Sequence, residues 1–175
     1  MQTRETRDPD GRRPTGPHDP SPTTRDGYRL TCDPEEVDLD RLHIWLSEES
    51  YWARGREREL VERSVRGSWP YSVHRDGEQC AFARVVTDGA TFAWICDVYV
   101  DAAHRGRGLG TWMVRRIVED LAGQGVQRVV LATMDAQEVY RRCGFGPMEG
   151  VHRWMEIDRR PTRRFVLGLD PHPPR

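Results

Sequence analysis

The sequence contains no lysine and no asparagine, and all 27 of its basic residues are arginine. A Walker-type phosphate-binding loop needs a lysine on its phosphates, and enzymes that form an imine with substrate or pyridoxal phosphate need a lysine amine. The absence of lysine therefore excludes both of these classes.

Cysteine is also sparse. Cys32, Cys80, Cys96 and Cys143 are widely separated, and none has a cysteine or histidine at the spacing of a metal site. We therefore expect reduced thiols in a cytoplasmic protein that holds no metal. No apolar run approaches the ~18 residues of a membrane span, and residues 1–25 lack the apolar stretch of an export signal. We expect a protein that is neither exported nor bound to a membrane.

The length and charge limit the class of protein further. A chain of 175 residues has room for one domain of ordinary size. The net charge of −1 does not favour a nucleic acid as partner. Residues 26–158 nevertheless contain 17 arginines and 23 acidic residues, a net charge of −6, whereas residues 159–175 carry +4.

Composition divides the chain into three parts. Residues 1–25 contain Pro, Thr, Asp, Arg and Gly but no large apolar residue after Met1, which predicts a disordered tail. Residues 159–175 are basic and contain prolines, and we expect a second tail there. The folded domain is predicted over residues 26–158.

Hydrophobic periodicity within this domain predicts an α+β fold with helices layered on a sheet. The Asp76-Gly77 and Asp88-Gly89 pairs are strong hairpin signals, so the sheet is predicted to be largely an antiparallel meander. The predicted strands are Tyr28–Thr31, Trp69–Arg75, Gln79–Thr87, Thr91–Val100, Val129–Ala132 and Trp154–Ile157. The predicted helices are Asp38–Ser47, Gly55–Arg66, Gly108–Gly123 and Ala136–Cys143.

A glycine-rich turn joins the fourth predicted strand to the third predicted helix. Residues 98–110 read V-Y-V-D-A-A-H-R-G-R-G-L-G. Glycines let backbone N–H groups approach an anion, and a helix N-terminus adds partial positive charge, so a pyrophosphate suits this turn. A dinucleotide fingerprint does not fit, because its third glycine would fall on Thr111 or Met113.

Two patterns of residues are informative here. Arg105, Gly108 and Gly110 form an R-x-x-G-x-G pattern, and Tyr140 is followed by Gly144-Phe145. The first pattern resembles the pyrophosphate loop of the GNAT superfamily of acyl-CoA N-acyltransferases, and the second is similar to the C-terminal helix and turn of that superfamily. The resemblance covers residues 28–157, and runs 50–56 and 82–88 resemble small bacterial members of unassigned substrate. It implies a twisted, mostly antiparallel sheet, splayed in a V between the fourth and fifth predicted strands and flanked by about four helices.

The resemblance implies direct transfer of an acetyl group from acetyl-CoA to the primary amine of a small molecule, without a metal. Val98, Tyr99 and Val100 would hold the pantetheine arm along the strand edge, and a backbone N–H near Val98 would polarise the thioester carbonyl. The pyrophosphate would lie on the turn and the start of the helix, formed by Arg105, Gly106, Arg107, Gly108, Leu109, Gly110 and Thr111.

The resemblance also assigns candidate catalytic residues. Tyr140 lies at the family's general-acid position; the alternative is a tyrosine that only packs its ring on the sheet. Many relatives carry, at the position of Cys96, a Glu that acts as the general base for the amine. Asp97 is therefore the first candidate for the general base in this chain, and the alternative is that Asp97 is a structural carboxylate. Other carboxylates that could act as the general base, or could instead bind a cationic substrate, are Asp88, Glu48 and Glu49.

The acceptor pocket is predicted from aromatic and acidic residues. Tyr51, Trp52 and Trp94, with Asp88, are candidate walls, although isolated aromatics are more often core. The acidic domain favours a cationic amine. The alternatives are a protein N-terminus or lysine as acceptor, a non-catalytic acyl-CoA-binding module, and an acyl group carried by aminoacyl-tRNA. A homodimer is left open.

Overall fold

The computed structural model describes residues 21–158, in which six strands form one sheet whose spatial order follows the chain. The first five strands form an antiparallel meander, and the sixth pairs parallel to the fifth. The strands are β1 (Thr23–Arg25), β2 (Tyr28–Thr31), β3 (Trp69–Arg75), β4 (Glu78–Thr87), β5 (Phe92–Val100) and β6 (Arg128–Val130).

Four α-helices flank this sheet within residues 21–158, and they are shorter than the periodicity predicts. Helix α1 continues into a π-helical segment, Trp45–Glu49, which occupies the rest of the first predicted helix. The helices are α1 (Leu39–Ile44), α2 (Arg58–Arg66), α3 (Leu109–Gly123) and α4 (Gln137–Arg141). Short 3₁₀ turns span Pro34–Glu36, Ala102–His104 and Val151–Arg153. The mixed fold with a mostly antiparallel sheet is confirmed.

Helices cover both faces of the sheet and create two cores. One core lies under α3 and α4 and includes Tyr71 of β3 and Ile117 of α3. The other lies under α1 and α2 and includes Trp45 and Phe82. The central strands are therefore buried on both sides.

A β-bulge in β5 decides which side chains meet each core. Asp97 and Val98 together oppose a single residue of β4, and Asp97 has φ +51°. Before the bulge Ile95 packs in the core under α3, whereas Tyr99 packs in the core under α1 and α2. One extra residue in a strand reverses the facing of every later residue, which accounts for this exchange.

The predicted V-shaped splay opens between β5 and β6. Strand β6 pairs with β5 only at Phe92–Trp94, and within the described residues the second half of β5 has no partner on that side. The edge of β5 from Cys96 to Val100 therefore faces a gap between the two strands.

Two predictions near the ends of the domain are wrong. Residues Thr23–Arg25 form β1, paired to β2 across the Asp26-Gly27 turn, although they fall in the segment predicted to be disordered. The predicted last strand Trp154–Ile157 does not form; the chain turns at Gly150 (φ +66°), and Met155 is 96% exposed. That segment cannot extend the sheet because it buries little against it. Residues 1–20 and 159–175, which include most of both predicted tails, lie outside the described residues.

No helix within residues 21–158 is long and apolar enough to cross a membrane.

Candidate active site

A cavity of about 670 Å³ occupies the gap between β5 and β6. Its walls come from the second half of β5, the chain after β6, helix α4 and the segment between α1 and α2. This volume lies in the range of small-molecule sites. The predicted residues that line it are Tyr51, Trp52, Trp94, Asp97, Val98, Tyr99, Val100, Arg105, Gly110 and Tyr140.

The glycine-rich turn lies at one end of this cavity. Gly106 and Gly108 have φ of +76° and +75°, which side-chain-bearing residues rarely adopt. Helix α3 begins at Leu109, and no side chain caps its first turn. The first backbone N–H groups of α3 therefore carry partial positive charge without a side-chain acceptor, an arrangement that suits an anion.

Arginine side chains surround this turn. Arg105 donates from Nε to the carbonyl of Val100 at 3.0 Å, so it ties the turn to the end of β5. Arg107 is exposed. Arg25, which the sequence prediction placed in a tail, lies so close to Gly108 that its guanidinium would be 3.5 Å from an added Cβ. The turn thus has a third cation beside it.

Leu109 can serve this end of the site only through its backbone, because its side chain is buried in the core under α3. Thr111 is half-buried in the first turn of α3, and its carbonyl accepts from the Cys143 thiol at 3.6 Å.

Tyr140 lies on α4 at the other wall of the gap. Its ring packs edge-on against Phe145 with centroids 6.1 Å apart, and the residue is 8% exposed. Within residues 21–158 no group hydrogen-bonds its hydroxyl. Burial, with a smaller contribution from Tyr51, raises the pKa of Tyr140 to about 12. The phenol therefore stays protonated at neutral pH and keeps its proton to donate.

Asp97 is the centre of a buried ion cluster. Arg84 Nε and Arg56 Nη1 each donate to its Oδ2 at 2.7 Å, and the Trp52 indole donates to Oδ1 at 3.2 Å. Burial alone would raise the pKa of Asp97, but the charges of Arg84 and Arg56 outweigh it and hold this pKa below its usual value. Such a carboxylate accepts a proton poorly, which favours the structural alternative over the general base.

Cys96 adjoins this cluster. Burial raises the pKa of its thiol to about 11, so the thiol is protonated at neutral pH and is neither a base nor a ready nucleophile.

The other candidate carboxylates lie apart from the Asp97 cluster. Asp88 caps the β4–β5 turn, where its carboxylate accepts from the Thr91 hydroxyl and from the N–H groups of Ala90, Thr91 and Phe92, and these bonds lower its pKa. Glu48 is exposed outside the cavity lining. Glu49 does line the cavity and accepts a hydrogen bond from the Tyr99 hydroxyl.

Sequence reasoning did not identify Arg56 and Arg84 as site residues. Both lie in the runs that carry the family resemblance, and Arg84 interrupts an otherwise apolar strand. A charged residue in the middle of a predicted buried strand was the available signal.

Comparison with known proteins identifies the family and agrees with the fold. Residues 33–145 match the model of the Acetyltransferase (GNAT) family. A GNAT-family protein from Xanthomonas campestris pv. campestris superposes with a TM-score of 0.72 at 36% identity, covering 75% of this chain and 92% of that one. A Gibberella zeae protein to which acetyltransferase activity is ascribed is 28% identical over 79% of this chain and 87% of its own length.

A shorter similarity involves an enzyme with a named substrate. Glucosamine 6-phosphate N-acetyltransferase 1 of Oryza sativa subsp. japonica is 50% identical over 50 residues, which is 28% of this chain and 30% of that enzyme. The chain thus has the sequence and the fold of an acetyltransferase enzyme, and it belongs to the GNAT family.

Proposed function

We propose that the protein is an acetyl-CoA-dependent N-acetyltransferase that acts on the primary amine of a small molecule, by direct transfer in a ternary complex. One observation carries this proposal: a single cavity brings together the unpaired edge of β5, the glycine turn at the start of α3, and Tyr140.

The residues present fit acetyl-CoA. The exposed edge from Val98 to Val100 can pair with an extended pantetheine arm as an added strand would. The backbone N–H groups from Arg105 to Thr111 then bind the pyrophosphate, and Arg107 and Arg25 add positive charge beside it.

Acetyl-CoA supplies the acetyl group as a thioester, so a C–N bond forms to the amine while the C–S bond breaks and the amine loses a proton. The bulge at Asp97 and Val98 takes one residue of β5 out of the regular ladder, which supports the Val98 N–H as the donor that polarises the carbonyl. Tyr140 donates its proton to the departing sulfur and is reprotonated from solvent, which takes up the proton that the amine loses.

Asp97 serves as a positioning residue, because three donors already occupy its carboxylate. The amine then reacts in its unprotonated form, and the fraction in this form grows with pH for an alkyl amine of pKa about 10. We expect kcat/KM for the amine to rise steadily from pH 6 to pH 9. A plateau that begins near pH 5 would indicate a carboxylate base instead.

The size and chemistry of the chain support the remaining parts of the proposal. The cavity volume suits a small acceptor better than a protein segment. Free thiols at all four cysteines are compatible with a cytoplasmic location. The catalytic domain is proposed to extend from β1 to residue 158, with a tail at each end.

Two measurements on the full chain test the function. Calorimetry with acetyl-CoA should show saturable binding, and thiol release over a panel of amines should show turnover with at least one. No binding of acetyl-CoA would overturn the proposal. Binding without turnover over a broad panel would favour the non-catalytic acyl-CoA-binding module.

A further inference from the structure

The Asp97 cluster carries more positive than negative charge. Arg56 and Arg84 share one carboxylate oxygen, and the side chains are 19%, 14% and 3% exposed for Arg56, Arg84 and Asp97. Within residues 21–158 neither arginine has another ion pair. One net positive charge is therefore held at the wall of the cavity, largely shielded from water.

Both guanidinium groups also retain unused donors. An arginine has five N–H donors in a planar fork. Arg84 uses only Nε and Arg56 only Nη1 among the contacts that the described part of the chain provides. Partly buried donors without partners cost free energy, and a bound anion with several oxygens would satisfy them.

The protein holds the two arginines in place before any ligand binds. Arg84 projects from the middle of β4, opposite Cys96 in β5. The loop that carries Arg56 is fixed by hydrogen bonds from Gly55 N to Ser47 O and between His43 Nε2 and the Arg56 carbonyl. Such preorganisation lowers the cost of binding.

This cluster is separate from the pyrophosphate turn. Arg105 contacts β5 at Val100, which pairs with Ala81 of β4, whereas Arg84 pairs with Cys96. Three residues along β4 correspond to about 10 Å. Trp52 and Trp94 lie on the Arg84 side, so the cluster belongs to the acceptor end of the cavity.

Two more carboxylates line the cavity, and neither forms an ion pair with this cluster among the described residues. Glu49 accepts a hydrogen bond from the Tyr99 hydroxyl, and Asp135 is exposed. The surplus of positive charge is therefore local to the cluster, whereas the net charge of −6 over residues 26–158 would by itself favour a cationic acceptor.

We propose that Arg56 and Arg84 together bind an anionic group, a carboxylate or a phosphate, carried by the acceptor amine. This inference rests on the proposed function, since it assigns the substrate class of the same site. The acceptor is then an amine that also bears an acidic group, and the Arg pair orients it so that its nitrogen faces the thioester.

Matched pairs of amines test this proposal. One pair is an α-amino acid and its amide, which tests a carboxylate; the other is glucosamine 6-phosphate and glucosamine, which tests a phosphate. Rates are compared per neutral amine, because the amine pKa differs between the members of a pair. In at least one pair we expect the charged member to have a kcat/KM about tenfold to a hundredfold higher, the value of one or two charge-assisted hydrogen bonds.

Variants then assign the preference to the cluster. Arg56→Gln leaves Arg84 bound to Asp97. We expect this variant to raise KM for the charged member of the pair about tenfold or more and to change KM for the neutral member little. Arg54→Gln is the matched control: this residue is exposed, lies in the same loop and does not line the cavity. Thermal unfolding of both variants checks that the fold is retained.

Binding separates this inference from the proposed function. Calorimetric titration of the same pairs, with and without saturating CoA, measures recognition of the anion independently of turnover. If both members of each pair bind with equal affinity and have equal kcat/KM, the anion site is refuted, even if acetyl-CoA is bound and consumed. An equal loss for both members in Arg56→Gln would overturn it as well.

Discussion

Replacing Asp97 with asparagine should destabilise the fold strongly, although the two side chains have nearly the same shape. The change removes the negative charge from a position that is 3% exposed and leaves two guanidinium groups without a counter-ion. Removing one partner of a buried ion pair costs about 3–5 kcal/mol. Because both arginines keep some contact with the cavity, we expect the lower end, about 3 kcal/mol.

The backbone should not add to this cost. Asp97 has φ +51°, and asparagine tolerates the left-handed region about as well as aspartate does. For a domain of this size, about 3 kcal/mol corresponds to a fall in Tm of about 6–12 °C. Scanning calorimetry of Asp97→Asn beside the wild-type chain at pH 7 measures it.

The matched control is Asp135→Asn. Asp135 also lines the cavity but is exposed and has no ion pair within the described residues, so the change in stability should be within about 0.5 kcal/mol. A fall in Tm of less than 2 °C for Asp97→Asn, with a large loss of kcat, would refute the structural role and restore Asp97 as the base.

The pH dependence of the difference in Tm between wild type and Asp97→Asn gives a second check. The pKa of Asp97 lies below its usual value in the folded protein, so its contribution to stability is present above the unfolded value of about 4. That contribution is lost as the pH falls through the folded pKa. The difference in Tm between wild type and Asp97→Asn should therefore be constant from pH 6 to pH 8 and should shrink only below about pH 4.

Three further predictions concern other parts of the molecule. Tyr140→Phe keeps the packed ring, so Tm should hold while kcat falls about 10²–10⁴-fold, and full turnover would exclude the acid role. Gly108→Ala forces a side chain into φ +75°, costs about 1–2 kcal/mol and should raise KM for acetyl-CoA about tenfold. Gly125→Ala, at φ +79° outside the turn, should lose similar stability but leave KM unchanged, and equal KM values in the two variants would contradict a role for the turn. Tyr71→Phe removes the 3.0 Å bond to buried Asp120 and should lower stability by about 1 kcal/mol with kcat unaltered, so an altered kcat would connect this core to catalysis.

The sequence predicted the central sheet well because turn chemistry is local. The Asp76-Gly77 pair adopts φ of +52° and +84°, as a tight hairpin requires, and Asp88-Gly89 closes the next one. Asp26-Gly27 has the same signature and joins β1 to β2. The predicted tail is one strand too long, because the polar composition of residues 1–25 hides a strand of only three residues.

The C-terminal part of the domain could not be read in the same way. The apolar content of Trp154–Ile157 is typical of a strand, but a strand needs an edge to pair with, and β6 is only three residues long. Pairing partners are a property of the tertiary fold. The same reason explains why the ion cluster was missed, since Arg56, Arg84 and Asp97 are up to 41 residues apart in the chain.

The bulge at Asp97 connects the fold to the chemistry that we propose. Without the extra residue, Tyr99 would face the core under α3. With it, the carboxylate is buried where it binds the two arginines, and the backbone that follows pairs with β4 on one side and borders the gap beside β6 on the other. A single inserted residue therefore places the charge that would select the acceptor next to the N–H that would activate the thioester. Because Asp97 holds both arginines, Asp97→Asn should weaken acceptor recognition together with stability, whereas Arg56→Gln, which leaves Arg84 and the Trp52 indole on Asp97, should weaken recognition with a smaller loss of stability.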